Sequence, residues 1–310
     1  MNSYNESRIF PWPVEASLLF CVVIWGTNFV VLKAAVPFLN AQSLNLARLL
    51  AAFAAVTAVH IWHVRREGQG LLETFRFQTR RVVLVGLFGY TVYQTLFIVG
   101  LANTLAGSAA LIMASSPVWT AILSVLLGHD RLRPLAWVGL LASLAGVTFI
   151  IISGQEVDLG GDMLFGNLIM LAAAISWALY TTLNRPLLRD IPAVSLTFYG
   201  LLVSIIPLIA ITWPYLDEVA WGQVPPLVWA AIVFSGAFST GLTVVLWNDA
   251  VRQIGPSRTA MANYLVPVIA LITSVSLLGE HLVLGQVVGG AMVIAGLLVV
   301  RYTGRKKPAA

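Results

Sequence analysis

The sequence predicts an all-α integral membrane protein of ten transmembrane helices, built as two inverted five-helix repeats. Three observations carry that prediction: apolar runs of membrane-spanning length, arginines confined to alternate loops, and a residue pattern that returns at an offset of 150. Of the 310 residues, 59% are hydrophobic and 10% charged, far below the roughly 25% charge of a soluble domain. Mean hydropathy is +0.88.

A helix crosses the hydrocarbon core with about 20 apolar residues. Runs of that kind place spans at 14–36, 43–62, 82–101, 105–127, 135–152, 163–183, 193–213, 227–247, 259–278 and 283–300. The first lacks a charged segment ahead of it and a small-residue cleavage pattern behind it, so it is expected to be retained as a span. It also holds Cys21, the one cysteine of the chain, which removes disulfides from consideration. Spans 3 and 4 are parted only by Ala102, Asn103 and Thr104, a tight turn. Turn chemistry marks the other breaks, at 128–134 (GlyHisAspArgLeuArgPro), 190–192 (AspIlePro) and 224–226 (ValProPro).

Charge sets the direction of these spans. With ten of them both ends share one side with the even-numbered loops. Those segments hold Arg8; Arg65, Arg66, Arg76, Arg80 and Arg81; Arg131 and Arg133; Arg185 and Arg189; Arg252 and Arg258; Arg301, Arg305, Lys306 and Lys307. That is 16 of the 18 basic residues, and only Lys33 and Arg48 flank the first outer loop. The outer loops carry Glu156, Asp158, Asp162, Asp217, Glu218 and Glu280. Positive charge stays cytoplasmic during insertion, so both termini are expected in the cytoplasm of a multi-pass cytoplasmic-membrane protein. The same rule accounts for the pI near 9.6 without a nucleic-acid partner.

The repeat is visible residue by residue. AlaAlaLeuIleMetAlaSerSerPro at 109–117 aligns with ThrAlaMetAlaAsnTyrLeuValPro at 259–267, and LeuLeuGly at 126–128 returns at 277–279. Gly139 and Gly146 return as Gly289 and Gly296, and Trp25 returns as Trp177 in SerTrpAlaLeuTyr. Residues 1–155 and 156–310 thus each hold five spans. Five is odd, so the second copy enters the membrane from the opposite side. This plan recurs in secondary transporters, with the substrate site near the midplane between the halves.

Polar groups at membrane depth should face protein or water. The first span carries IleTrpGlyThrAsnPhe at its middle, with Trp25, Thr27 and Asn28. The third has Tyr90, Tyr93 and Gln94 at i, i+3 and i+4, one helical face. The fourth has Ser115, Ser116 and Trp119; the sixth Ser176, Trp177, Tyr180 and Thr181; the eighth Ser235, Ser239 and Thr243; the ninth Asn263 and Tyr264. Trp12, Trp62, Trp213, Trp221 and Trp229 fit an interfacial belt, which does not account for Trp25 or Trp177. The hydroxyl residues could equally serve helix packing. Pro117 and Pro267 lie mid-span and should kink their helices, freeing the carbonyls of Met113 and Asn263, either for shape or as hinges. Gly285 and Gly289 on span 10, with Gly139 and Ser143 on span 5, allow close helix contact, as a seam between the halves or in a homo-oligomer. His60 and His63 are i, i+3 neighbours with no carboxylate or cysteine beside them, so a solvated helix end is expected there instead of a metal site. No P-loop, dinucleotide fingerprint or nucleophile elbow occurs, and neither an enzyme nor a cofactor is expected.

IleTrpGlyThrAsnPhe, the prolines of SerSerPro and LeuValPro, LeuLeuGlyGluHis and the Gly-rich last span together resemble the EamA-type branch of the drug/metabolite transporter superfamily, over essentially the whole chain. Within it the chain is most similar to the YddG-type exporters of aromatic amino acids. Glu280 follows LeuLeuGly in the second half, whereas His129 and Asp130 stand there in the first, which points to a structural role at a helix end. The resemblance implies export of small neutral solutes, amino acids and aromatic ones especially, through a central cavity. Trp25, Tyr90 and Trp177 would offer aromatic faces, and Asn28, Gln94 and Asn263 would hold the polar ends. Tyr93, Ser116, Trp119, Tyr180, Ser239 and Tyr264 complete the expected lining. A broader metabolite or drug exporter, a passive channel and a membrane scaffold remain alternatives. Glu15, Asp249 and Glu280 sit at span ends, with Lys33 and Arg48 towards the outer face, so transport without obligatory proton exchange is expected.

Overall fold

The computed structural model describes residues 12–35, 38–73, 75, 78–104, 106–154, 163–269, 272 and 283–303. Among them the regular structure is helical throughout. The first two spans are α1 (Val14–Ala35) and α2 (Ala41–Arg66). Asn40 caps α2, its side-chain oxygen accepting from the Ser43 N–H at 2.8 Å. The third span is α3 (Thr79–Gly86), a π-helical turn (Leu87–Val92) and α4 (Tyr93–Ala102). The fourth is α5 (Ala106–Met113) and α6 (Ser116–Leu126). Single helices follow: α7 (Pro134–Gly154), α8 (Leu164–Leu187) and α9 (Ala193–Thr212). The eighth span comprises α10 (Pro226–Val233), a second π-helical turn (Phe234–Leu242) and α11 (Thr243–Ile254). Then come α12 (Pro256–Ala260), a 3₁₀ turn (Met261–Tyr264), a helical stretch at 265–269 and α13 (Leu284–Thr303).

Prolines open α7, α10 and α12, where a missing N–H leaves no bond unmade. Gly255, at φ 86°, stops α11 in a conformation that disfavours any side chain. Six helices among the described residues are long and apolar enough to cross a membrane, and three shorter apolar helices cover Val14–Asn28, Leu111–Leu126 and Leu284–Val300. These nine match nine of the expected spans. Most of the ninth expected span, with Leu277–Gly279 and Glu280, lies outside the described residues, as do Glu156, Asp158, Asp162, Arg8, Arg76, Arg305, Lys306 and Lys307.

Two differences concern the prolines. The expected kink at Pro117 is a full break: the chain turns at Ala114 and Ser115, and Pro117 stands in the first turn of α6. Pro267 likewise falls in the first turn of the stretch at 265–269, behind the 3₁₀ turn. Each proline therefore starts a helix segment instead of bending a continuous one.

The chain forms two compact units, one of Met1–Thr95 with Leu183–Gly255, the other of Leu96–Thr182 with Pro256–Ala310. Each unit takes helices from both halves of the sequence, so the compact units do not follow the 155/156 boundary.

In the first unit α2 packs on the second π turn and on α9, and α1 packs on α11. Small residues allow these approaches. A methyl at Gly86 would sit 2.8 Å from the Gly200 Cα, and one at Gly241 3.2 Å from Val56. The Ser204 hydroxyl, 3.1 Å from the Gly86 carbonyl, ties α9 to α3.

In the second unit the close pair is α7 and α13. A methyl on Gly146 would lie 2.6 Å from the Gly289 carbonyl oxygen, and one on Gly139 2.7 Å from that of Gly296. Between these crossings the Ser143 hydroxyl donates to the Val293 carbonyl at 3.2 Å. The expected glycine seam of spans 5 and 10 is thus formed within one chain. Replacing Gly146 by Ala should separate the helices and destabilise the purified protein by about 1–3 kcal/mol, the usual result of overpacking. Gly290→Ala, with open space around it, should melt at or above the wild-type temperature in the same detergent.

Candidate functional site

Trp25 sits mid-way along α1, and its indole N–H donates to the Ser239 carbonyl at 2.8 Å. Its ring lies 5.1 Å from that of Trp247 on α11. Ser239 belongs to the second π turn, and its carbonyl also accepts from the Thr243 hydroxyl. Two donors thus meet a backbone group in a turn whose hydrogen bonding departs from the α pattern, which explains an indole at this depth. Thr27 bonds back to the Val23 carbonyl. Asn28 is buried, and its side-chain oxygen has no hydrogen-bond partner.

The expected face of Tyr90, Tyr93 and Gln94 is interrupted by the first π turn, which ends at Val92. Tyr90 is fully buried, with its ring against Gly200 of α9, where a methyl would come within 2.6 Å of it. Gln94 is buried. Tyr93 is half-buried and lies near Arg48 of α2.

Arg48 is the largest surprise of this unit. Read as flanking the outer loop, it is the eighth residue of α2 and only 3% exposed. Its Nη2 donates to the Thr240 hydroxyl at 3.3 Å, while Nε and Nη1 are buried without partners. A guanidinium in a transmembrane helix costs about 2.5–3.5 kcal/mol even on insertion scales. The signal was available, since a lone arginine inside an apolar run marks a functional position by default.

Sequence reasoning also missed a buried amide network. Asn184 Nδ2 donates to Asn248 Oδ1 at 2.9 Å, and Asn248 Nδ2 donates to the Thr197 hydroxyl at 3.0 Å. Spans ending at 183 and 247 left both asparagines outside the membrane segments, whereas α8 and α11 run on to Leu187 and Ile254. His60 and His63 correct another expectation: they are buried, not solvated. The His60 ring stacks on Phe198 at 4.3 Å, and its nitrogens lie 3.0 Å from the Leu71 carbonyl and 3.3 Å from the Ser195 hydroxyl. The segment after α2 folds back to His60 through Leu71. Among the described residues no cluster of three or more His, Cys, Asp or Glu side chains could hold a metal.

In the second unit Trp177 and Tyr180 are buried neighbours on α8, with rings 5.5 Å apart. At the break before α6, the Trp119 indole donates to the Ser115 hydroxyl at 3.1 Å, and that hydroxyl donates to the Ile112 carbonyl at 2.6 Å. Ser116 is buried and its carbonyl accepts from Thr120. The 3₁₀ turn carries half-buried Asn263, whose side-chain oxygen has no partner, and Tyr264, buried in the apolar core with Leu140, Val147 and Val293. Helix α6 packs against α12 and this turn, so the breaks of spans 4 and 9 meet. Asp130, the counterpart of Glu280, accepts from the Ser257 N–H at 3.0 Å and the Ser124 hydroxyl at 2.8 Å. That is a helix-end cap. An apolar groove of about 440 Å³ on α1, lined by Trp12, Leu19, Phe20 and Val23 among others, contains none of these polar residues.

The EamA-like transporter family matches this chain twice, over residues 13–152 and 164–302. The chain belongs to that family. It is therefore a membrane transporter of EamA type. The uncharacterized transporter YyaM of Bacillus subtilis is 31% identical over 70% of this chain and 71% of its own length. A probable terminal-alkyne amino-acid exporter of Streptantibioticus cattleyicolor is 26% identical, covering 94% of this chain and 95% of its own. A probable amino-acid metabolite efflux pump of Salmonella typhimurium is also 26% identical, over 91% and 92%. One solved protein structure superposes with a TM-score of 0.79 at 18% identity, covering 94% of this chain and 99% of that one, which establishes the shared fold.

The amide network makes a prediction about this EamA transporter. Asn248→Leu strands the Asn184 amide in a dry interior and should cost about 1–2 kcal/mol of stability. The double variant Asn184→Leu/Asn248→Leu should recover part of that loss in thermal melting, because the Asn184 amide is no longer orphaned.

Proposed function

We propose that this transporter exports small neutral organic solutes from the cytoplasm, foremost amino acids with aromatic or apolar side chains, by alternating access. In this reading the halves 1–155 and 156–310 are inverted repeats, and both termini are cytoplasmic. The observation that carries it is the pairing of backbone irregularities. The π turns at Leu87–Val92 and Phe234–Leu242 occupy spans 3 and 8, and the breaks at Ala114–Ser115 and Met261–Tyr264 occupy spans 4 and 9. Those are the pairs that the 150-residue offset relates. Non-helical backbone at membrane depth is tolerated where it is buried in protein or lines a cavity, and discontinuous helices bind cargo in secondary transporters. The family match in each half supports the repeat, and the names of two relatives support amino-acid cargo.

The predicted residues then divide by role. Trp119, Trp177 and Tyr180 present aromatic faces, while Asn28 and Asn263 each keep a side-chain oxygen with no partner, an acceptor for a polar group of the cargo. Pro117 and Pro267 sit where segments would pivot. A homo-oligomer through spans 5 and 10 would have to use their outward side chains, such as Val138, Leu141 and Val287, because the glycines are occupied within the chain.

The test is uptake into proteoliposomes. Labelled phenylalanine should enter saturably and be competed by other apolar amino acids, and Trp177→Ala should weaken apparent affinity about three- to tenfold, the loss of one aromatic contact. Linear, uncompeted flux would indicate a channel, and absent flux a scaffold. Among the described residues Glu15 lies exposed in the first turn of α1, and Asp249 is paired with Arg252. An imposed pH gradient should accordingly leave uptake within about twofold, whereas a several-fold stimulation removed by neutralising either carboxylate would contradict this.

A further inference from the structure

We infer that Arg48 is a specificity-determining residue which holds the carboxylate of the cargo. The inference rests on the transport reading above and narrows it: the cargo must carry a carboxylate, and an amine or ester analogue that lacks one is rejected.

The argument starts from an uncompensated charge. Arg48 is sealed inside the first unit, and among the described residues no carboxylate pairs with it. A guanidinium offers five N–H donors and no acceptor. Its one hydrogen bond, to Thr240 at 3.3 Å, uses a single Nη2 hydrogen. Whichever hydrogen that is, one two-pronged edge of the fork stays intact, either Nε with Nη2 or Nη1 with Nη2. Two parallel N–H donors in one plane match a carboxylate better than any neutral group.

The surroundings orient that fork. The Thr240 hydroxyl donates to the Ser235 carbonyl five residues back, a reach set by the π turn, and this leaves its lone pairs for Arg48. Thr240 is a positioning residue. A methyl at Gly236 would run into the Arg48 carbonyl, so α2 and the π turn are locked together at this level. Three residues ahead on the same face of α2 stands Asn45, buried, with a side-chain oxygen that has no partner. An acceptor beside a cationic donor is the pattern that a zwitterion satisfies, ammonium on Asn45 and carboxylate on Arg48. Arg48 begins about 10 Å inside α2 at 1.5 Å per residue, a depth at which the alternative counter-ion is a small inorganic anion.

The experiment uses the purified full chain and proteoliposomes, with phenylalanine, phenethylamine, phenylalanine methyl ester and sodium chloride as probes. Phenylalanine should raise the melting temperature of the wild type and enter vesicles, while the amine and the ester should bind at least about tenfold more weakly. Arg48→Lys keeps the charge and loses the fork, and should cost phenylalanine affinity with folding retained. Thr240→Val should weaken phenylalanine binding several-fold and leave binding of the amine unchanged. Equal stabilisation by all three organic probes, or affinity unchanged in both variants, would overturn the assignment while leaving the transporter reading intact. Stabilisation by chloride alone, with phenylalanine adding nothing, would show a resident inorganic ion and also overturn it. Should no solute cross the membrane while phenylalanine still stabilises wild type over Arg48→Lys, the transport reading fails and the carboxylate site stands.

Discussion

Hydrocarbon offers no hydrogen bonds, so every backbone group that leaves the α-helical pattern must be answered by neighbouring protein or by water in a cavity. The π turn at Phe234–Leu242 is where this constraint organises the first unit. The Trp25 indole and the Thr243 hydroxyl reach the Ser239 carbonyl, and Thr240 reaches the Ser235 carbonyl. Arg48 then binds Thr240 from α2. Three helices are thereby referred to one irregular turn, and the polar residues of the first span acquire a reason to be there. The turn's Gly236 and Gly241 keep the helix surface low enough for α2 to approach.

The second unit solves a different problem with different means. The mutual glycine crossings of α7 and α13 put backbone against backbone, with Ser143 between them, and form a tightly joined pair. Beside it the chain is broken at Ala114–Ser115 and tightened into a 3₁₀ turn at Met261–Tyr264, with a proline starting the next segment in each case. Ser115 uses its hydroxyl to cover one exposed carbonyl and to receive the Trp119 indole. A close-packed pair next to discontinuous helices separates what must stay fixed from what can rearrange.

The membrane class, nine of the span positions and the glycine seam were legible in the sequence, because hydropathy and small-residue spacing report directly on lipid and on helix approach. The π turns were not. A π turn changes the phase of a helix by a fraction of a turn, and LeuPheGlyTyrThrVal has the composition of any buried helix. Helix ends were also misjudged: runs of hydropathy stop at the first charged residues, whereas α2, α8 and α11 continue past them to Arg66, Leu187 and Ile254. That one error hid the Asn184–Asn248 network and left His63 outside the second span. Of the expected lining residues, Trp25 and Ser239 are joined, as are Trp177 and Tyr180, while Tyr264 belongs to a packed core. Arg48 was seen but read as flanking the outer loop, although it already fell inside the second expected span and is the eighth residue of α2.

The central proposal is that each irregular turn becomes accessible alternately from the two sides of the membrane. Cys21 is the single cysteine and is buried, so a Cys21→Ala background allows cysteines to be placed one at a time at Tyr93 and at Asn263. Labelling with a membrane-impermeant maleimide from each side, with and without substrate, tests the claim directly. Alternating access predicts modification from both sides at each position, with substrate shifting the ratio between them. Modification from one side only, at a rate indifferent to substrate, would contradict it.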